Sequence, residues 1–257
     1  MNYYIFNKRI VGYKHKLKNK LCQDYCLYEK LDKGILVTIA DGHSGDYFIF
    51  SHRGAKLACR AFIDIMKKYI DNNEDSFYSM SQLLCKKVIQ REIYNEWRKL
   101  VFNDFFSIIP RVYKIDYFRY GTTLLGMYIN EDYKLFIRLG DGEILTRKNY
   151  TFEKVFATNR KLFVDTMSQK NSFNKIEYKI SKTNKNNDMP IVMYSDGYEN
   201  SFKSYKDMVK DINDTIYKYE NNVFTRMNLK KNYCEYLDNL SKNGSKDDIT
   251  ICFVNKL

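Results

Sequence analysis

Four aspartates lie where apolar, strand-like runs give way to polar or glycine-containing loops, namely Asp41, Asp141, Asp196 and Asp247. The clearest case is Asp41, which follows the β-branched run 35–40 and begins the sequence Asp-Gly-His-Ser-Gly. A single Asp-Gly pair usually marks a turn, but three such pairs at strand ends, with an Asp-Asp pair entering the last strand, suggest one common site. Like charges packed in one sheet system repel unless a cation lies among them. Short carboxylates on rigid strands, with the backbone carbonyl of Gly42, therefore predict a site for Mg²⁺ or Mn²⁺.

The segments that must hold these acids show two kinds of apolar spacing. Short apolar runs predict strands over 3–11, 25–28, 35–40, 124–129, 134–139, 190–194 and 249–254. Apolar residues three and four apart predict helices over 55–66, 83–101, 205–219 and 227–240. Residues 12–20 indicate a basic loop, and 151–187 give little pattern beyond a polar loop over 181–187. Because the strands outnumber those of an alternating βαβ chain, we predict an α+β fold with antiparallel sheets.

The composition favours one domain over residues 1–257, since 257 residues carry only 2 prolines and 11 glycines and show no long linker. No run is long enough to span a bilayer, and the N-terminus lacks the apolar core of a signal peptide. The sequence therefore predicts a soluble, cytoplasmic protein. The net charge of +12 fits either an acidic partner or lysines scattered over solvated faces.

Six cysteines occur without a CxxC pair, and several lie inside apolar patterns. Reduced and mostly buried thiols fit this pattern best. Cys22 and Cys26 leave a zinc site as a weak alternative, because no second Cys/His pair follows at zinc-finger spacing.

The motifs, taken in order, resemble the metal-dependent serine/threonine protein phosphatases, the PPM or type 2C family. The matching pieces are Gln23-Asp24 after Gly12 and His15, Asp41-Gly42-His43-Ser44-Gly45, Gly121-Thr122-Thr123, Gly140-Asp141-Gly142, Ser195-Asp196-Gly197 and Asp247-Asp248-Ile249-Thr250. They extend over residues 12 to 254, and the opening motif is closer to the bacterial branch of the family. The resemblance implies a four-layer α-β-β-α sandwich, in which two antiparallel sheets pack face to face with helices outside.

The resemblance also implies a metal-binding role for each acid. Asp41 would bridge two Mn²⁺ or Mg²⁺ ions, the Gly42 carbonyl would bind one of them, and Asp196 and Asp247 would complete the other. Asp24 would hold metal-bound waters, and Asp141 matches the acid that helps to bind a third, looser metal in bacterial members.

The implied activity is hydrolysis of phosphoserine and phosphothreonine in proteins, by direct attack of a water or hydroxide that bridges the metals. His43 matches the proposed general acid, and histidine can supply a proton near neutral pH. His15 and His52 are expected to be structural or surface residues. The expected partners are phosphorylated proteins and a cognate serine/threonine kinase, with no nucleic acid and no membrane.

Three departures from the family pattern affect the site. Gln23 replaces one of the usual acidic pair, and Asp248 stands where many members have asparagine. The arginine that binds the substrate phosphate in many members has no clear match, so Lys18 and Lys20 are the predicted phosphate-binding residues, with Arg9 as an alternative.

Two other functions remain open at this point. One is a phosphatase-like module that binds phosphoproteins with weak or no turnover. The other is a basic nucleic-acid-binding protein, which depends on net charge alone because no recognisable binding motif accompanies it.

Overall fold

Ten strands build two five-stranded sheets in the computed structural model, which describes residues 3–72, 74–110, 114–148, 151–157, 163–183 and 189–256. The strands are β1 (Tyr3–Ile10), β2 (Tyr25–Lys30), β3 (Gly34–Ala40), β4 (Leu124–Asn130), β5 (Tyr133–Leu139), β6 (Glu143–Lys148), β7 (Thr151–Lys154), β8 (Glu177–Lys182), β9 (Ile191–Tyr194) and β10 (Ile249–Lys256). One sheet has the order β1-β10-β9-β6-β7 and the other β2-β3-β4-β5-β8. Every strand pair is antiparallel.

Two short helices follow β1 and β9, and the longer helices lie on the outer faces of the two sheets. The helices are α1 (Tyr13–Lys16), α2 (Ser51–Asp71), α3 (Phe77–Cys85), α4 (Val88–Ile108), α5 (Asp196–Glu199), α6 (Tyr205–Asn221) and α7 (Val223–Asn243), with 3₁₀ turns at Tyr117–Tyr120 and Ser172–Lys175. Residues of α2, α3 and α4 share a hydrophobic cluster with β3, β4 and β5. Residues of α6 and α7 share another with β1, β9 and β10. The predicted α+β sandwich with four layers is confirmed.

A third hydrophobic cluster fills the space between the two sheets. Strand β3 is buried along its whole length, because alternate residues face opposite layers. Val37 and Ile39 contribute to the cluster between the sheets, and Leu36 to the cluster under the helices. A strand held on both sides gives the residue at its end a fixed position, and that residue is Asp41.

The apolar face of α2 lies close to β4 because Gly126 has no side chain. A Cβ at Gly126 would lie 2.4 Å from Cε2 of Phe62, so glycine lets this ring lie directly on the sheet. The indole nitrogen of Trp97 in α4 donates to the Gly54 carbonyl of α2 at 3.1 Å. These contacts fix α2 and α4 on the outer face of the sheet.

Three sequence-based boundaries need correction. The helix predicted over 83–101 is two helices, α3 and α4, which are separated at Lys87, whose φ is 56°. The predicted basic loop over 12–20 contains the short helix α1. The predicted polar loop over 181–187 begins inside β8, and residues 184–187 lie outside the described residues.

Two further sequence predictions concern membranes and cysteines. Within the described ranges, no helix has both the length and the apolar character that crossing a membrane requires. All six cysteines are free thiols, but only Cys59 and Cys252 are buried, three are half-buried and Cys85 is exposed, so the thiols are less buried than the sequence predicts. The single domain over 1–257 stays a prediction.

Candidate active site

Three of the predicted metal ligands come together where strand ends of the two sheets meet. Asp41 follows β3, Asp141 follows β5, and Asp196 is the first residue of α5, just after β9. Each residue offers one carboxylate oxygen, and these oxygens all lie within 4.8 Å of one another. Three acids from segments more than 50 residues apart in sequence therefore lie close together in the fold.

Asp24 is the fourth acid at this point and is almost completely buried. Its Oδ2 accepts a hydrogen bond from the Ser195 hydroxyl at 2.7 Å, whereas its Oδ1 has no hydrogen-bond partner among the described residues. Burial, followed by the charge of Asp248, raises the pKa of Asp24 to about 7. We call Asp24, Asp41, Asp141 and Asp196 the acid cluster.

The protonation of the acid cluster reflects burial and mutual repulsion. Burial raises the pKa of Asp41 well above its usual value, and the charges of Asp24 and Asp196 raise it further. Burial also raises the pKa of Asp196. Desolvation and then the charge of Asp196 raise the pKa of Asp141 to about 6. A divalent cation among these carboxylates would offset both costs.

Asp247 lies at the border of the acid cluster, beside a cation that sequence reasoning did not select. Its negative charge contributes to the raised pKa values of both Asp141 and Asp196. Its Oδ2 is 2.6 Å from the Lys14 ammonium, and its Oδ1 accepts from the backbone N–H of Asp248 at 2.9 Å. A metal ion bound by Asp247 would therefore compete with Lys14 for this carboxylate.

Asp248 joins three separate segments through one buried carboxylate. Its Oδ1 accepts from the Gly12 N–H at 2.6 Å and lies 2.8 Å from Nδ1 of His15. Its Oδ2 accepts from the Gln23 N–H at 2.6 Å. Nε2 of His15 lies 3.3 Å from the Ser44 hydroxyl. This network positions Gln23, the residue before Asp24, and supports the loop after Asp41. His15 is therefore a structural residue, as the sequence predicts.

The backbone around Asp41 and Gly42 is held on both sides. The carbonyl of Asp41 accepts from the N–H of Thr123 at 2.8 Å and from the hydroxyl of Thr122 at 3.0 Å. The N–H of Gly42 donates to the Gln23 carbonyl at 3.2 Å. A Cβ at Gly42 would lie 2.6 Å from that carbonyl oxygen, so only glycine permits this approach. The Gly-Thr-Thr motif thus serves to fix Asp41.

His43 is half-buried two residues beyond Asp41. Its N–H donates to the Gly121 carbonyl at 3.0 Å, and its ring meets the Phe48 ring edge-on at 5.2 Å. Burial lowers the pKa of His43. The histidine is therefore neutral more readily than a free imidazole, and a stronger acid when it is protonated.

The lysines predicted to bind phosphate lie in the loop after α1. Lys18 is exposed, and the Lys20 ammonium is 3.0 Å from a carboxylate oxygen of the exposed Asp46. Asp46 follows His43 by three residues, so the loop borders the site. The alternative, Arg9, donates to the backbone carbonyl of Asp24 at 2.8 Å. The phosphate-binding role of Lys18 and Lys20 stays a prediction.

The residues present fit a hard divalent cation. Carboxylate oxygens and a glycine carbonyl are the ligand types that Mg²⁺ and Mn²⁺ prefer. The buried Oδ1 of Asp24, without a partner among the described residues, is an acceptor that a metal-bound water could satisfy. The three clustered oxygens at Asp41, Asp141 and Asp196 supply the negative charge.

Comparison with solved structures finds the same fold at low sequence identity. PppA of Pseudomonas aeruginosa is 13% identical with a TM-score of 0.64, and the match covers 100% of this chain and 99% of that chain. The serine/threonine phosphatase of S. agalactiae is 15% identical with a TM-score of 0.61 and 100% coverage of both chains. The catalytic domain of the phosphatase PstP, solved in complex with 2 manganese ions, is 11% identical with a TM-score of 0.57, covering 98% of this chain and 97% of that chain.

The sequence comparisons give a family. No curated protein matches the sequence. The family model described as Protein phosphatase 2C matches residues 11–232, which include Asp24, Asp41, Asp141 and Asp196. Because this match covers most of the 257 residues and the sandwich of sheets agrees with it, the chain belongs to the protein phosphatase 2C family.

Proposed function

We propose that the protein is a Mn²⁺- or Mg²⁺-dependent phosphatase that hydrolyses phosphoserine and phosphothreonine in proteins. The observation that carries this proposal is the approach of Asp41, Asp141 and Asp196 to within 4.8 Å of one another. Such a concentration of carboxylates costs stability unless cations neutralise it, so its presence at the ends of rigid strands suggests a functional reason.

Each acid would have its own role in binding the ions. Asp41, at the centre, would contact two ions, with the Gly42 carbonyl on one side and Asp196 and Asp247 on the other. Asp24 would orient water through its Oδ1, which has no hydrogen-bond partner in the described part of the chain, and Asp141 would bind a third, weaker ion. When bound, the ions supply an acidified water and offset negative charge on the phosphoryl oxygens.

His43 would supply the proton that the leaving serine or threonine alkoxide needs. Its backbone bond to Gly121 and its contact with Phe48 hold the ring near the end of β3. The lowered pKa of His43 makes the imidazolium a stronger acid towards an alkoxide.

Several cations border the acid cluster and could bind the substrate phosphate. Lys18 and Lys20 remain proposed for this role. Lys14 is a further candidate, because a metal ion that takes over the Asp247 carboxylate would release the Lys14 ammonium beside the site. We also propose a cytoplasmic location and a cognate serine/threonine kinase that produces the substrates.

The test measures hydrolysis of an aryl phosphate and of a phosphothreonine peptide with Mn²⁺, with excess chelator, and in the Asp41→Asn variant. We expect chelator to abolish activity, and Asp41→Asn to lower kcat/KM by at least about a hundredfold, since it removes one charge shared by the ions. The matched control is Asp132→Asn, an exposed aspartate in the β4–β5 turn, at the opposite end of these strands from Asp41.

A second readout separates metal binding from turnover. Saturating Mn²⁺ should raise the melting temperature of the intact protein and of the control, and should act much less on Asp41→Asn. Activity that survives chelator or the Asp41 substitution would refute the metal mechanism. Mn²⁺ and phosphopeptide binding without hydrolysis would instead identify a binding module.

A further inference from the structure

A cavity of about 800 Å³ lies between α4, the segment before Gly121, and residues 168–171. Three basic side chains line it, namely Arg98, Lys114 and Lys170. The rings of Tyr117 and Phe118 form an aromatic part of the wall. The function described above gives this cavity no role.

The three cations lack acidic partners within the described ranges of the chain. No ion pair there involves Arg98, Lys114 or Lys170. The one acidic residue in the wall, Asp116, is already engaged, since it accepts from the Tyr47 hydroxyl and lies 3.7 Å from Arg119. The cavity therefore carries an unbalanced positive charge.

Arg98 is held in place, unlike a mobile surface arginine. Its guanidinium carbon lies 3.6 Å from the centroid of the Tyr117 ring and 5.6 Å from that of Tyr94. Its Nη1 donates to the Tyr94 hydroxyl at 3.3 Å. A guanidinium has five N–H donors, so this half-buried group keeps donors available for an anion in a fixed orientation.

Two segments of the cavity wall are adjacent in the chain to residues that contact the active-site backbone. The 3₁₀ turn Tyr117–Tyr120 is followed by Gly121, whose carbonyl accepts a hydrogen bond from the His43 N–H. A 3₁₀ turn advances only about 6 Å over three residues. On the other wall, Ser168 follows Met167, whose N–H donates to the Thr122 carbonyl at 2.9 Å. Both walls thus connect through hydrogen bonds to residues beside Asp41, and a peptide that extends from the acid cluster along this side would meet the cavity.

We propose that this cavity binds acidic side chains that flank the phosphorylated residue of the substrate. The inference rests on the proposed function and adds a preference to it, namely phosphoproteins with glutamate or aspartate near the phosphorylated residue. Positive charge without partners attracts carboxylates, and the aromatic wall packs against the intervening aliphatic stems. Residues of α4, far from Asp41 in sequence, thus determine specificity.

The test compares phosphothreonine peptides that differ only in three glutamates or three glutamines, placed either before or after the phosphothreonine. The intact protein should favour one glutamate peptide by about tenfold in kcat/KM, through a lower KM. In the double variant Arg98→Gln/Lys170→Gln this ratio should fall to about one, while kcat/KM for an aryl phosphate stays unchanged. Lys231→Gln, an exposed lysine on α7, is the control and should keep the ratio.

Lys170→Glu alone provides a second variant, because Lys170 is exposed and its reversal should not affect folding. One added carboxylate then stands against Arg98 and Lys114, so the preference for the glutamate peptide should fall to about one, as in the double variant. A ratio near one in the intact protein, or an unchanged ratio in the double variant, would overturn the proposal. Absence of aryl phosphate hydrolysis in the intact protein would refute the proposed function instead.

A binding measurement tests the cavity independently of turnover. A fluorescein-labelled, unphosphorylated peptide rich in glutamate is titrated into the protein in the presence of chelator. The double variant should bind it about tenfold more weakly than the intact protein and Lys231→Gln do. Equal binding by the double variant would count against the cavity. Displacement by a single-stranded oligonucleotide at lower concentration than by unlabelled peptide would identify a nucleic-acid site and also overturn the proposal.

Discussion

Replacing Asp248 by alanine should destabilise the protein by about 3–5 kcal/mol, because one buried carboxylate satisfies three donors. The substitution removes the acceptor of the Gly12 N–H and of the Gln23 N–H, both at 2.6 Å, and the partner of His15 at 2.8 Å. A buried N–H without a partner costs about 1–3 kcal/mol. The side chains of His15 and Asp248 are only 4% and 2% exposed, so the donors left by the substitution lie away from bulk water.

Asp248→Asn should cost less, about 1–3 kcal/mol, because an amide keeps one acceptor oxygen but turns an NH₂ group towards a donor. Urea unfolding measures both losses, since the single tryptophan, Trp97, is fully buried and its fluorescence reports on the core. Asp132→Asn, on an exposed turn, should stay within about 0.5 kcal/mol of the wild type.

The size of the stability loss in Asp248→Ala is the critical result. If Asp248→Ala lowers the free energy of unfolding by less than about 1 kcal/mol with an unchanged m-value, this carboxylate does not organise the N-terminal segments. The same variant should bind Mn²⁺ more weakly, because Gln23 directly precedes Asp24 and loses its hydrogen bond. Full Mn²⁺ affinity in a destabilised Asp248→Ala protein would show that the acid cluster forms without this support.

Three other outcomes are expected. Without metal, the free energy of unfolding should fall as pH rises from about 4 to about 7, since burial raises the pKa of Asp24 to about 7 and of Asp141 to about 6, and the folded state then holds protons that the unfolded state releases; urea titrations with and without Mn²⁺ check this, and Asp24→Asn should flatten the curve. His43→Gln should lower kcat for a phosphothreonine peptide by about a hundredfold and for an aryl phosphate far less, because an aryl oxide leaves without a proton; equal losses would contradict the acid role. Lys14→Met should strengthen Mn²⁺ binding, measured by calorimetry, because the cation that pairs with Asp247 is gone, and weaker binding would contradict competition for that carboxylate.

The position of Asp41 could be predicted from sequence because its signals are local. A buried β-branched run followed by Asp-Gly defines both the end of β3 and the direction of the chain there. Asp141 and Asp196 follow the same rule at the ends of β5 and β9. Their repeated setting suggested one common site, but the role of each acid in that site came from the resemblance to a family, because no local signal pairs strands from two sheets.

The support around the acid cluster could not be predicted from sequence because its contacts join distant residues. His15 and Asp248 are 233 positions apart, and only the pairing of β1 with β10 brings their segments together. The same pairing brings Lys14 to Asp247. The sequence alone assigned Lys14 no role and favoured Lys18 and Lys20, from the same basic run, as phosphate-binding residues. The break at Lys87 was also missed, because apolar spacing continues from α3 into α4 and the left-handed backbone there has no glycine to indicate it.

The acid cluster and the Asp248 network are two solutions to the problem of buried carboxylates, and they lie side by side. Asp248 is surrounded by two backbone N–H groups and a histidine, so its negative charge has partners in the folded protein itself. Asp41 and Asp24 instead face other acids, and their raised pKa values express the lack of such partners. Stability alone would favour amides or apolar residues at these two positions. Bound divalent ions, as proposed above, would supply the missing counter-charge, while Asp248 would hold the backbone beside Asp24 through its hydrogen bond with Gln23.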